Sequence, residues 1–388
     1  MSDLPQRLHC VVALWGEVFI QTFLEVTLPS LLTEGNLYGL GARTDPVLRI
    51  LTVPDSVERL RLAPQIVAAS RRLPVEVCSV SDLDLHDVDA AASACHRQAV
   101  RDADEEGAAL IVLTPDSLWS EGAFQALLDR AESGVRAVLV ASIRVQLETF
   151  APAYVGQAKG GSLSSRELVR LGLQHLHPIS ESLFWDSEHF SSHPSHVYWR
   201  VGGDGLVARC FHLHPLYVFP MVRGGVMESN IDDDYLIRAV PDLGRVHVVT
   251  DSDELCGFEL SPANKRVGHS DKPRSASALA VAAWARRGAN KHHRDCFRSS
   301  VSVHAGSLGG AQQHEWERAR AEARDLAFRV RCLLATPIPT LPGTAERVVT
   351  RLRAAVTTRV VAAKRRLGVE GDLLGRKGGA PDDCGSET

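Results

Sequence analysis

No two of the eight cysteines form a C-x-x-C pair, and they are scattered singly through apolar segments. That spacing excludes a disulfide framework and a structural zinc site, and it fits a reducing compartment. No apolar run reaches the ~18 residues a membrane-spanning helix needs. The start, MSDLPQRLHCVVALWGEVF, lacks the charged opening, long apolar centre and small-residue cleavage site of a signal peptide. A net charge of −4 carries no nucleic-acid signature, and no internal repeat is visible. These absences predict a cytoplasmic globular protein with no nucleic-acid partner.

What is present is ordinary globular composition, 45% hydrophobic and 23% charged over 388 residues. That length predicts two domains, or one large domain with appendages. Apolar runs at 8–15 (LHCVVALW), 47–53 (VLRILTV), 74–80 (PVEVCSV), 108–114 (AALIVLT) and 135–143 (VRAVLVASI) read as strands buried on both faces. Between them, helical spacing predicts helices over 17–33, 56–72, 88–106 and 121–133. This alternation predicts an α/β fold with a mainly parallel, Rossmann-like sheet flanked by helices. Residues 144–205 are less regular, with a helix around 164–175. Strand-like sequence returns at 206–222 and 245–250. Residues 261–310 are polar and basic, 311–334 are helical, and three prolines between 337 and 342 form a linker to a basic helix over 344–367. The expected division is 1–260, 261–340 and 341–388, the last ending in a low-hydrophobicity tail.

Ligands of open parallel sheets bind beyond the carboxyl ends of the strands. The first strand delivers Trp15, Gly16 and Glu17 there, the second Thr52, Pro54 and Asp55, and the fourth Thr114, Pro115, Asp116 and Ser117. A carboxylate directly after an apolar strand suits Mg²⁺ or Mn²⁺, which prefer oxygen ligands and leave room for phosphate oxygens. The competing reading of Asp116 and Ser117 is a cap on the next helix, and Asp55 can likewise cap a helix or accept a hydrogen bond from a base. His96 and Arg97, on the helix before the fourth strand, can face phosphates; a single histidine there also serves a purely structural role. His212 and His214 alternate onto one strand face and suit a metal or a phosphate, with no third imidazole at zinc spacing. Asp232, Asp233 and Asp234 repel one another unless exposed or countered by a cation; the segment supplies a catalytic base or a solvated helix start. Asp251–Glu254, a second acidic turn after a strand, reads as a surface turn, with an acceptor or metal site as the alternative.

The layout of AVRDADEEGAALIVLTPDSLWSEGAF resembles the helix, strand and acidic motif of GT-A type glycosyltransferases, the nucleotide-diphospho-sugar transferase superfamily. The resemblance spans residues 8–260. It implies that Trp15, Gly16, Thr52 and Asp55 meet the nucleotide, and that Asp116 and Ser117 face the diphosphate or its Mn²⁺ or Mg²⁺. It also implies a base about a hundred residues later, where Asp232, Asp233 and Asp234 stand, to deprotonate a glycan or lipid-linked acceptor. The usual Asp-any-Asp is reduced here to one acid, so His96, Arg97, His212 and His214 are the candidate cationic or metal-side helpers. Two rival readings stay open: a nucleotidyltransferase, which the loop Trp15–Phe19 disfavours for want of a Gly-rich basic sequence, and a catalytically degenerate binding module. The helix over 344–367 aligns Val348, Leu352, Val356 and Val360 beside seven Arg and Lys. It either docks on the catalytic domain or lies peripherally on an anionic membrane.

Overall fold

The computed structural model describes residues 4–335, except 82, 84, 226, 228–229 and 269–271. The basic helix expected over 344–367 and the tail after it lie outside the described residues. In chain order the strands are β1 (Arg7–Ala13), β2 (Asp45–Thr52), β3 (Val75–Ser79), β4 (Ala109–Leu113), β5 (Ser117–Trp119), β6 (Ala137–Val140) and β7 (Ile143–Gln146). They continue as β8 (His196–Val201), β9 (Gly205–Cys210), β10 (His214–Val218), β11 (Val246–Val248), β12 (Gly257–Ser261) and β13 (Val301–His304).

The main sheet has seven strands in the order β11-β6-β10-β4-β1-β2-β3. It is parallel except for β10, which runs antiparallel to both neighbours. The α/β expectation therefore holds, with a mixed rather than wholly parallel sheet. Strand alternation sorts each apolar run onto two faces. Leu8, Cys10, Val12, Ala109, Ile111 and Leu113 point into one core. Val11, Ala13, Leu110 and Val112 point into the other, where the helix Val88–Glu106 packs Cys95, Ala99 and Ala103. That helix is capped by Asp87, whose carboxylate accepts from the Ala90 amide at 2.9 Å.

A small sheet, β5-β12-β7, extends the second core with Ile143, Val145, Phe258 and Leu260. The helix Ser165–Gln174 lies close enough that a Cβ on Gly172 would fall 2.4 Å from the Phe258 ring. A third, antiparallel sheet, β13-β9-β8, packs Trp199 and Phe211 against the helices Ala278–Gly288 and Gln313–Ala335, through Val281 and Trp316.

Several expectations are corrected. The strand expected over 135–143 is two, β6 and β7, in different sheets, and the strand-like stretch over 206–222 likewise forms β9 and β10 in different sheets. The helix over 56–72 breaks at Pro64 into Pro54–Leu62 and Pro64–Ala69, because proline cannot donate within a helix. Ser117 opens β5, and the following helix begins only at Ala123, so Asp116 and Ser117 do not cap it. Among the described residues, no helix is long and apolar enough to cross a membrane.

Candidate functional site between two adjoining cavities

In the main sheet β1 lies between β2 and β4, and the chain order reverses there. Such a switch point opens a crevice beyond the strand ends. A cavity of about 350 Å³ occupies this place, walled by Trp15, Phe19, Val88, Leu113 and Asp116. Gly16, at φ +79°, turns the chain out of β1 in a conformation that side-chain-bearing residues rarely adopt, and puts Trp15 and Phe19 on one wall. The lining is apolar apart from His96, Thr114 and the Asp116 carboxyl.

Thr114 also lines a second cavity of about 500 Å³. This one is bounded by Ser117, Arg144, Glu259, His212, His214 and Asp232, with Trp284 and His196 on its far side. Its charged edge is built by strand register. In the small sheet Glu259 stands opposite Ser117 on one side and Arg144 on the other. Arg144 Nη1 binds Glu259 and donates to Ser261 Oγ at 2.9 Å. Lys265 Nζ lies 3.7 Å from Glu259 Oε1.

Asp116 lines the apolar cavity, two residues after the shared Thr114, and is only 7% exposed. Burial, reinforced by the Glu259 carboxylate, pushes its pKa up to about 7, against the pull of Lys265, Arg144 and the Thr114 hydroxyl. Its backbone carbonyl accepts from the Leu260 amide at 2.7 Å, which fixes the loop to β12. Ser117 and Thr114 share a hydroxyl–hydroxyl hydrogen bond.

His96 reaches the apolar cavity, and burial, with His214 nearby, lowers its pKa to about 4. It is a neutral imidazole at pH 7. Arg97, its neighbour, lines a different depression with Asp104 and Gly224, away from the crevice. Asp55 is exposed in the first turn of Pro54–Leu62 and lines neither cavity. Thr52 is buried and donates to the Leu14 carbonyl, a structural tie between β2 and β1. Glu17 points outward into an ion pair with Arg59.

His212 and His214 both reach the polar cavity, but their ring nitrogens are engaged separately. His214 Nε2 donates to the Val112 carbonyl at 2.7 Å, and His212 Nε2 to that of Gly288 at 2.9 Å. The donor atoms of Asp116, His212 and His214 do not gather within 4.8 Å. Among the described residues the group that does is Asp251, Asp253 and His304, which can hold a metal ion. His304 is buried and its Nε2 lies 2.8 Å from Asp251 Oδ1, while Arg166 spans both oxygens of the exposed Asp253 at 2.9 and 2.6 Å. None of the three lines either cavity.

The acidic triplet is divided by its π-helical turn, Ile231–Tyr235. Asp232 alone lines the polar cavity, 3.8 Å from His212 Nδ1. Burial would raise the Asp232 pKa, but the His212 imidazole outweighs it and holds the carboxyl below its ordinary value. Burial would also lower the His212 pKa, and Asp232 with the Gly288 carbonyl raises it instead. Asp233 accepts from Asn290 at 3.2 Å, and Asp234 pairs with Arg238 at 2.6 Å. The buried His293 ring lies 4.1 Å from that of His212 and donates to the Asp232 carbonyl at 3.0 Å, fixing the turn.

The arrangement can hold a flat ring in the apolar cavity, an anion against Arg144, and a hydroxyl beside an ionised Asp232. Sequence reading missed Arg144, Glu259, His196 and Trp284. Arg144 carried no legible signal, since it lies inside β7, which the sequence did not separate from β6; Glu259 carried none beyond the alternation of GFELS. No protein-family model matches the chain, and no curated protein matches it.

Proposed function

We propose that the chain is a glycosyltransferase that moves a sugar from a nucleotide-diphosphate donor to a hydroxyl of a glycan or lipid-linked acceptor. The observation that carries this reading is the apolar cavity at the β1/β4 switch point, which shares the Thr114 side of its lining with a polar cavity. A nucleoside diphosphate has that polarity: an aromatic base and ribose followed by two phosphates.

In this reading Trp15 and Phe19 pack the nucleoside, and Thr114 and Ser117 meet the phosphates. The sugar then lies in the polar cavity, between Arg144 and Asp232. Asp232 serves as the base that takes the acceptor proton, a role that requires a carboxylate ionised at neutral pH. Its pairing with His212 supplies that state. Asp233 and Asp234, turned to Asn290 and Arg238, are left to structure.

The Mn²⁺ or Mg²⁺ that a GT-A resemblance implies does not fit this donor set. Asp116 is one buried carboxyl, no three-membered ligand group among the described residues includes it, and its carboxylate neighbour Glu259 is already met by Arg144 and Lys265. No step is therefore routed through a cation.

The test is a panel of UDP- and GDP-sugars incubated with the full chain, with and without Mn²⁺, with release of nucleoside diphosphate measured. Turnover supports the enzyme. Saturable binding without turnover indicates a degenerate binding module, and no binding of any donor refutes the reading.

A further inference from the structure

We propose that Arg144 is the group that neutralises the leaving diphosphate, in place of a divalent cation, and that Glu259 and Lys265 hold it ready. The inference rests on the nucleotide-sugar reading above and adds to it the chemistry of the leaving group.

Arg144 is the lone arginine or lysine among the described residues that line the polar cavity. A guanidinium carries five N–H donors in a planar fork. Both side-chain hydrogen bonds of Arg144, to Glu259 and Ser261, leave from Nη1. Nη2 and Nε therefore have no protein partner among the described residues, and that half of the fork is available to two phosphate oxygens. The backbone is held firmly behind it: the Arg144 amide donates to Ser180 Oγ at 3.1 Å, and Ser180 Oγ donates to the Arg144 carbonyl at 2.9 Å.

Charge balance points the same way. Asp116, Glu259, Arg144 and Lys265 form a four-member cluster that is neutral when both carboxyls are ionised. A proton on Asp116, which burial favours, makes the cluster a net cation, which suits a diphosphate. When Arg144 turns toward the phosphates, Lys265 stays beside Glu259, so the carboxylate is not stranded. Three of the four histidines lining the cavity offer less: burial lowers the pKa of His196 and His214, and His212 is committed to Asp232; the fourth, His193, shares a hydrogen bond with Ser192 Oγ.

In the transfer step the bond from the anomeric carbon to the diphosphate oxygen breaks, and its electron pair leaves with the diphosphate. The new negative charge develops against Arg144. The acceptor oxygen forms the new bond and loses its proton to Asp232.

Binding of UDP, GDP, CDP, ADP and dTDP, each beside its nucleoside, is measured by calorimetry on the full chain in EDTA and again with Mn²⁺. The expected result is that the best diphosphate beats its nucleoside by at least tenfold in EDTA and that Mn²⁺ adds nothing. Arg144→Ala is expected to erase that advantage and Arg144→Lys to keep part of it, each with an unchanged melting curve. Glu259→Gln removes a negative charge beside the phosphates while its amide oxygen can still accept from Arg144 Nη1, and it is expected to tighten diphosphate binding about threefold, the scale of a partly exposed ion pair. An advantage that appears only with Mn²⁺ and is weakened by Glu259→Gln would overturn the proposal, because Asp116 and Glu259 would then be cation ligands. In that case the nucleotide-sugar reading stands. If neither nucleosides nor diphosphates bind under any condition, both fall.

Discussion

Replacing Asp116 with asparagine should stabilise the protein at alkaline pH and leave it unchanged in acid. Asparagine keeps the shape and removes the charge. The wild-type carboxyl is 7% exposed, and burial with Glu259 beside it moves its pKa from 3.8 to about 7. A raised carboxyl pKa means that the folded state holds a proton the unfolded chain has released. That contribution to stability is fully present below about pH 3.8 and is lost progressively as pH rises to about 7. About three pH units at about 1.4 kcal/mol each set an upper figure of about 4 kcal/mol, and any sharing of the proton with Glu259 lowers it. The asparagine side chain, which does not ionise, carries none of this penalty. Urea denaturation at pH 8 should show the Asp116→Asn variant more stable by about 2–4 kcal/mol, a rise of several degrees in Tm. The difference should shrink steadily toward pH 4. A difference independent of pH, or a variant less stable at pH 8, would refute the burial argument. The same variant should keep or gain affinity for a nucleoside diphosphate at pH 8, because asparagine reproduces the neutral state in which Arg144 and Lys265 outweigh Glu259.

Three further outcomes follow from the geometry. Asp232→Asn should abolish transfer while leaving donor binding intact, whereas Asp233→Asn and Asp234→Asn should retain turnover; equal activity in all three variants would remove Asp232 as the base. Trp15→Ala should weaken nucleoside binding about tenfold, the lower range of base–aromatic stacking, and unchanged affinity in calorimetry would take the base out of the apolar cavity. Phe258→Ala empties a fully buried site between Phe150 and Gly172 and should cost about 3–5 kcal/mol in urea denaturation; a loss under about 1 kcal/mol would show that the small sheet is not part of the core.

The first four parallel strands were legible in the sequence because each is a short apolar run between helical spacings. β4 is buried at all five residues, so nothing in it competes with the strand pattern. The antiparallel strand β10 was not separable from β9. The link between them, Phe211-His212-Leu213, carries no glycine or proline to mark a break, and two of its three residues are buried. Pro215 inside β10 would normally argue against a central strand; a register shift between Pro215 and Tyr217 accommodates it. β5 is three residues long, too short for a periodic signal, and its capture by β12 decides that Asp116 lines the apolar cavity rather than a helix end.

The site was legible wherever residues followed a strand directly, as with Trp15, Gly16, Thr114, Asp116 and Ser117. It was illegible where tertiary pairing made it. Glu259 lies far beyond Asp116 in the chain, and only the β5-β12-β7 pairing brings the two together. Asp232 was indistinguishable from Asp233 and Asp234 in sequence. The separation comes from His212 and His293, which hold the turn so that one carboxylate faces inward.

The central claim is that the β1/β4 crevice binds the nucleoside of a diphosphate donor. Co-crystallisation with whichever of UDP, GDP, CDP, ADP and dTDP gives the largest thermal shift tests it most directly. A base and ribose are expected against Trp15 and Phe19, with the phosphates passing Thr114 toward Arg144. A nucleotide bound elsewhere on the protein, with this crevice empty, would contradict it.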